Sequence, residues 1–211
     1  MSLFVTFEGP EGCGKTTQVA QLAESLRSRR HDVIATREPG GTSIGDQVRE
    51  ILHSPGNRSM RPAAELLLYC ASRAQLVADV IQPHLERGGI VLSDRYADSS
   101  IAYQGYGRGL DRDALRTIIT FATNGLRPDL TLLLDLAVEE GLRRRRDGGG
   151  EWNRLDQEAL DFHRRVREGY LLLAKAEPDR WVIVDAARGV DRVQAHIREI
   201  VEQKLAAGRP A

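Results

Sequence analysis

Residues Gly9-Pro10-Glu11-Gly12-Cys13-Gly14-Lys15-Thr16 fit the spacing G-x-x-x-x-G-K-[ST], and their flanks leave few folds open to the chain. Ahead of them, residues 3–7 form an apolar run of strand length. Behind them, residues 17–26 place apolar side chains at helical intervals. Strand, glycine loop and helix together make a cradle for phosphate. Glycines let successive backbone N–H groups curl round an anion, the helix N-terminus adds partial positive charge, and a lysine adds a full one. Lysine occurs only at 15, 175 and 204 among 30 basic residues, which makes a chance lysine in a glycine-rich turn a poor account. Gly9, Pro10, Glu11, Gly12, Cys13, Gly14, Lys15, Thr16 and Thr17 are therefore expected to bind the phosphates of a nucleotide.

The rest of the chain repeats the pattern. Apolar strand-like runs at 3–7, 32–36, 90–93, 130–136 and 181–184 alternate with helical segments. Pro62 suits the first turn of a helix through 63–80, which the Gln82-Pro83 step then disturbs. Asp111 is expected to cap 113–123 and Gly125 to close it. Asp156 precedes a long segment at 157–176, and Asp191 precedes the last helix. Alternating strands and helices imply an α/β fold with a parallel sheet covered on both faces, and 211 residues fit one domain.

Composition narrows the function. Thirty acidic residues balance the 30 basic ones, which argues against a nucleic acid partner. No apolar stretch has membrane-spanning length and the N-terminus enters a strand without a signal-peptide layout, so no membrane association is expected. Two cysteines suggest reduced thiols in a cytoplasmic protein. Cys13 reads as a small residue in a tight loop, with a redox switch as the alternative. The histidines at 31, 53, 84, 163 and 196 show no metal-ligand spacing.

Three further groups lie at predicted strand ends or on helices. Strand 90–93 ends in Asp94-Arg95-Tyr96, and a strand-end aspartate beside a phosphate loop is placed to hold Mg²⁺ together with Thr16. Arg37 precedes Pro39-Gly40-Gly41 on the same rim; it suits either a second phosphate or a surface ion pair. Tyr69 and Arg73, four apart on a helix, share a face: packing beside a solvated arginine is the simpler reading, a platform for a base the other. Ser100 and Gln104 lie one turn apart with groups that can read a base edge.

Together these pieces resemble the thymidylate kinase family. The matching stretches are Phe7-Glu8-Gly9-Pro10-Glu11-Gly12-Cys13-Gly14-Lys15-Thr16-Thr17, Arg37-Glu38-Pro39-Gly40-Gly41-Thr42, Ala64-Glu65-Leu66-Leu67-Leu68-Tyr69 with Arg73, Asp94-Arg95-Tyr96, and Ala102-Tyr103-Gln104-Gly105. The resemblance runs from Leu3 to about Ile200. It implies a P-loop NTPase-type three-layer α/β/α fold with a five-stranded parallel sheet and a small lid. It also implies one nucleoside-monophosphate-kinase-like domain over 1–211, a homodimer, and a step in dTTP synthesis for DNA replication. Tyr69 would stack on thymine, where many relatives carry phenylalanine, and Arg73, Ser100 and Gln104 would contact its edge. Arg37 and Arg95 would hold the acceptor phosphate. Tyr103 would crowd the site of a ribose 2′-hydroxyl, and Glu11 would reach the 3′-hydroxyl of the deoxyribose.

Segment 141–155 joins Arg143–Arg146 to three glycines at 148–150. Four consecutive arginines on a helix point all round its axis and the glycines make a flap, so the segment reads as a lid that brings cations over ATP. This resembles the bacterial type of thymidylate kinase, whose catalytic arginine sits in the lid; Arg146 and Arg154 are the candidates. Asn153-Arg154-Leu155-Asp156 lacks the lysine of a guanine-reading motif and reads as lid, with Asp156 capping the next helix.

Acceptor chemistry separates the nearest rivals. A nucleoside hydroxyl must lose a proton to a positioned base, which in a deoxynucleoside kinase would fall to Glu8 or Glu11. A phosphate monoester, with a second pKa of about 6, needs none. Arg37 and Arg95 favour the monophosphate, hence transfer from ATP to dTMP, with Lys15, Arg37, Arg95 and the lid arginines carrying the charge. A GTPase-like switch and a nucleic-acid binder built on the arginine run fit less well.

Overall fold

The computed structural model describes residues 2–149 and 152–207. Gly150 and Glu151 of the expected lid, with residues 1 and 208–211 of the expected domain, lie outside them. Strands β1 (Leu3–Glu8), β2 (Val33–Arg37), β3 (Ile90–Asp94), β4 (Leu130–Asp135) and β5 (Trp181–Asp185) form one sheet in the order β2-β3-β1-β4-β5. Every neighbouring pair is parallel. β1 is central, and the chain builds outward from it in both directions. The crevice at its carboxyl end is the switch point where open α/β sheets bind ligands, and the phosphate loop lies there.

Pleating assigns the faces. Leu3, Val5 and Phe7, with Leu130, Leu132 and Leu134, pack on Val19 and Leu22 of α1 (Lys15–Ser28) and on Ile197 and Val201 of α9 (Val190–Ala207). On the opposite face Phe4 and Val91 meet Leu76, Ile81 and Tyr96, while Leu133 meets Phe162, Val166 and Tyr170. Each such side chain contributes about 1.5–3 kcal/mol by leaving water.

Helix ends follow local chemistry. Thr42 caps α2 (Ser43–His53) by accepting from Gly45 N–H. Asp111 Oδ1 accepts from Ala114 N–H at the start of α6 (Arg112–Thr123), and Gly125 closes it by donating to Thr120 O. α3 (Pro62–Leu76) does not stop before Pro83. It passes through a π-helical stretch, Val77–Ile81, into α4 (Gln82–Glu86), and the wider turns accommodate the amide that Pro83 lacks. α5 (Ala97–Ser100) likewise continues as a π-helical stretch, Ile101–Gly107.

Two expected helix starts move. α8 begins at Leu160, not 157, and runs Leu160–Ala176 without a side-chain cap. Asp156 does not cap it: Asp156 Oδ2 accepts from Asn153 N–H, while Asn153 Oδ1 accepts from the amides of Leu155 and Asp156. These short side chains compete with the helix and fold 153–156 into a turn. Asp191 falls within the first turn of α9, where Gly189 O accepts from Arg192 and Val193. The arginine run forms the end of α7 (Val138–Asp147).

Candidate active site

The phosphate loop is shaped by glycines that side chains would obstruct. A Cβ on Gly12 (φ +69°) would lie 2.0 Å from Gly141 O, and one on Gly141 would lie 2.2 Å from Glu11 O. Loop and α7 therefore meet backbone to backbone. Gly14, left-handed at φ +92°, precedes α1, which has no side-chain cap; Gly14, Lys15, Thr16 and Thr17 line a cleft of about 450 Å³. Lys15 is buried, and its ammonium donates to Gly9 O at 3.2 Å, Pro10 O at 2.9 Å and Cys13 Sγ at 3.3 Å. Register pairs Phe7, Arg37 and Asp94 across three strands, so all three end on one rim. Thr16 Oγ1 donates to Asp94 Oδ2 at 2.6 Å.

Arg95 departs from the strand with φ +71° and turns back under the loop. Its guanidinium donates to Gly9 O (3.1 Å), Tyr170 Oη (3.1 Å), Tyr103 Oη (3.0 Å) and Glu11 Oε1 (2.8 Å), and stacks over the Tyr103 ring. Tyr103 Oη also donates to Glu11 Oε1 at 2.7 Å. Burial works against the Glu11 charge, but Arg95, then Lys15 and the tyrosine hydroxyl, hold its carboxyl down at about 2. Glu8 lies beneath, fully buried. Tyr96 N–H, the Ser99 hydroxyl and the Tyr170 hydroxyl all donate to it. Burial, then the charge of Asp98, push its carboxyl up to about 7.

Arg37 lines the cleft with its side chain more than half exposed, 3.7 Å from Asp46. Beside it stand Arg49 and His53 of α2, which the sequence reading did not select. Arg49 donates to Pro39 O at 2.9 Å, past the cis Glu38–Pro39 peptide. Burial and Arg49 hold His53 down at about 4. The available signal was the i, i+4 pair of a cation and an imidazole on the helix opened by Thr42.

Tyr69, Ser100, Tyr103 and Gln104 also line the cleft. Arg73 does not join them there. It is 1% exposed, its Nε donates to Glu38 Oε2 at 2.8 Å, and its Nη2 donates to Tyr96 O and Ser100 Oγ. Tyr69 and Arg73 thus sit on one helix without sharing the open face, because the cation turned inward to a buried carboxylate.

The lid arginines also divide differently from expectation. Arg144 and Arg145 line the cleft. Arg144 donates to Ala186 O and Glu140, and Arg145 pairs with Asp156 at 3.2 Å. Arg146 is two-thirds exposed beside Asp147. Arg154 is buried, 2.5 Å from Glu65 Oε2, with its Nε on Leu52 O. A buried carboxylate has claimed Arg154, and solvent has claimed Arg146.

The thymidylate kinase family profile matches residues 7–197. The chain belongs to the thymidylate kinase family. It is 53% identical to a thymidylate kinase of Roseiflexus sp. (strain RS-1), over 98% of this chain and 96% of that one. It is 54% identical to one of Deinococcus radiodurans, over 96% and 97%. The crystal structure of thymidylate kinase from Ehrlichia chaffeensis superposes with a TM-score of 0.78 at 32% identity, covering 95% of this chain and 98% of the other. Membership accords with a cleft lined by a phosphate loop, a group of arginines, a tyrosine, a serine and a glutamine.

Proposed function

We propose that this cleft performs the reaction as follows. As a thymidylate kinase the chain transfers the γ-phosphate of ATP to dTMP, giving dTDP and ADP. The single observation that carries the assignment of residues is the position of Arg95, a partly buried cation held between Glu11, Tyr103 and the phosphate-loop carbonyl of Gly9. Amides of residues 12–17 and the Lys15 ammonium hold the ATP phosphates. Arg95, Arg37 and Arg49 take the dTMP phosphate, fixing it in line with the γ-phosphorus. No base is required, because the acceptor is already anionic; Glu8 is buried out of reach of a nucleoside hydroxyl, which disfavours thymidine as acceptor. Ionised Glu11 accepts from the 3′-hydroxyl, and Tyr103 beside it crowds the 2′ position. The base stacks on Tyr69, with Ser100 and Gln104 at its edge.

Thr16 and Asp94 fit Mg²⁺. They are hard oxygen donors 2.6 Å apart that line the cleft, and one carboxylate plus one hydroxyl beside phosphates is the set this ion takes. When bound, Mg²⁺ would offset charge on the β- and γ-oxygens. Segment 141–155 is the lid of a single domain, and Arg144 and Arg145, in place of Arg146 and Arg154, supply its cations. Among the described residues no helix is long and apolar enough to cross a membrane. We assign the enzyme to the cytoplasm, in keeping with its free thiols at Cys13 and Cys70.

A second copy is the partner we assign to α3 and α6. Ala63, Leu67, Ala71 and Ala74 are all exposed on one side of α3, and Phe121 of the adjoining α6 is 90% exposed. An uncharged stripe of this kind is buried by a twofold-related stripe in a homodimer.

The test is ADP release with Mg-ATP and dTMP, dUMP, thymidine or no acceptor. Turnover with dTMP is expected; turnover with thymidine and none with dTMP would overturn the acceptor assignment.

A further inference from the structure

Gln104 has little freedom over which end of its amide it presents. Its Nε2 donates to Glu65 Oε1 at 2.7 Å, and both side chains are buried. An ionised carboxylate only accepts, so the amide nitrogen must face it. With one amide proton on Glu65, the only acceptor Gln104 has left for the cleft it lines is the carbonyl Oε1, beside the second N–H. Glu65 is kept ionised by its neighbours. Arg108 donates to it through Nε at 3.2 Å and Nη2 at 3.1 Å, and Arg154 lies 2.5 Å away. Burial works against that charge, and the hydrogen bonds from Arg108 and Gln104 outweigh it. Glu65 also sits one helical turn before Tyr69, so one helix supports both the ring and the acceptor.

We infer that Glu65 is a specificity-determining positioning residue: by holding the Gln104 nitrogen it selects a pyrimidine that carries N–H at ring position 3. The inference rests on the reading that the dTMP base lies between Tyr69 and Gln104. Thymine and cytosine present similar stacking faces, so area burial separates them poorly. Their edges differ. Thymine N3–H donates to Oε1, whereas cytosine N3 would set a lone pair against it and leave both acceptors unpaired in a buried place. A glutamine at 104 alone could serve either base by turning its amide over; the carboxylate behind it forbids the turn.

Glu65→Gln tests this, because two facing amides pair either way round. The dTMP-to-dCMP ratio of kcat/KM should fall about tenfold or more, with the ATP KM unchanged. Glu158→Gln, which alters the other partner of Arg108 and leaves Glu65 on Gln104, should keep the wild-type ratio. If Glu65→Gln unfolds through its unpaired cations, Glu65→Gln with Arg154→Met retains the amide pair and the same ratio is read. Equal losses for dTMP and dCMP in either variant would make Glu65 merely structural and overturn the proposal. Gln104→Leu separates the two levels of argument. If it erases the preference while Glu65→Gln does not, the base site stands and the Glu65 proposal falls. If it leaves the preference intact, the reading of Gln104 fails and the proposal with it.

Discussion

Replacing Arg95 by methionine removes the cation while keeping much of its length, and the contacts bound the cost. Glu11 loses its 2.8 Å ion pair in a site where the carboxylate is 18% exposed. A charge-assisted bond of this kind is worth about 1.5–3 kcal/mol. The acceptor phosphate loses a second interaction of similar size. The ion pair exists in the free enzyme, so its loss falls on stability; the phosphate interaction alone, about 1.5–3 kcal/mol, corresponds to about 10–10²-fold in kcat/KM for dTMP at 1.36 kcal/mol per decade. The ATP KM should move less than about threefold, since Lys15 and the loop amides are untouched. Arg95→Lys should recover about tenfold at most, because one ammonium cannot reach Gly9 O, Tyr170, Tyr103 and Glu11 together. Without Arg95 the Glu11 carboxyl also rises from about 2, so the variant should lose activity at low pH more steeply than the wild type, whose acid limb reflects the phosphate's own second pKa of about 6. The assay is coupled ADP release at saturating Mg-ATP with dTMP varied, repeated from pH 4 to 8. A dTMP kcat/KM within threefold of wild type in Arg95→Met would refute the role given to this residue.

Other perturbations probe other parts of the molecule. Lys15→Ala should lose nearly all turnover while dTMP binding stays measurable by calorimetry; wild-type turnover would remove Lys15 from the mechanism. Arg73→Ala should lower stability by about 3–5 kcal/mol in urea unfolding, because Glu38 is left buried without its cation; an unchanged midpoint would mean the pair is not formed. Native Glu8, up at about 7 against an ordinary 4.5, holds a proton that the unfolded chain releases. Its stabilising contribution is therefore complete below about pH 4.5 and lost as pH rises through 7. That amounts to about 3 kcal/mol, so Glu8→Gln should show a flatter stability profile from pH 5 to 8; parallel profiles would sink the argument. Leu67→Asp should shift sedimentation toward the monomer, and an unaltered coefficient would remove the dimer face.

What could be read from the sequence, and what could not, divides along one physical line. The phosphate loop, Thr16 with Asp94, and Arg37 at the rim were legible because strand ends and helix starts are local features. A residue's place on a parallel strand fixes its edge of the sheet, as the pairing of Phe7, Asp94 and Arg37 illustrates. Arg73 and Arg154 turn away from the open cleft, and nothing local in the sequence tells an arginine where to turn. Each is claimed by a glutamate far away in the chain, Glu38 and Glu65. In an arginine-rich chain every cation looks like a phosphate ligand until its carboxylates are counted. The same count clarifies the site itself. Arg95 retains a place in the cleft because its partner Glu11 stands there too, whereas Arg154 follows Glu65 into the core and Arg73 lies buried behind the cleft-lining Glu38. Acidic partners, more than the arginines, decide which positive charges face the cleft, and the proposal for Glu65 extends that logic from charge to the orientation of a neutral amide.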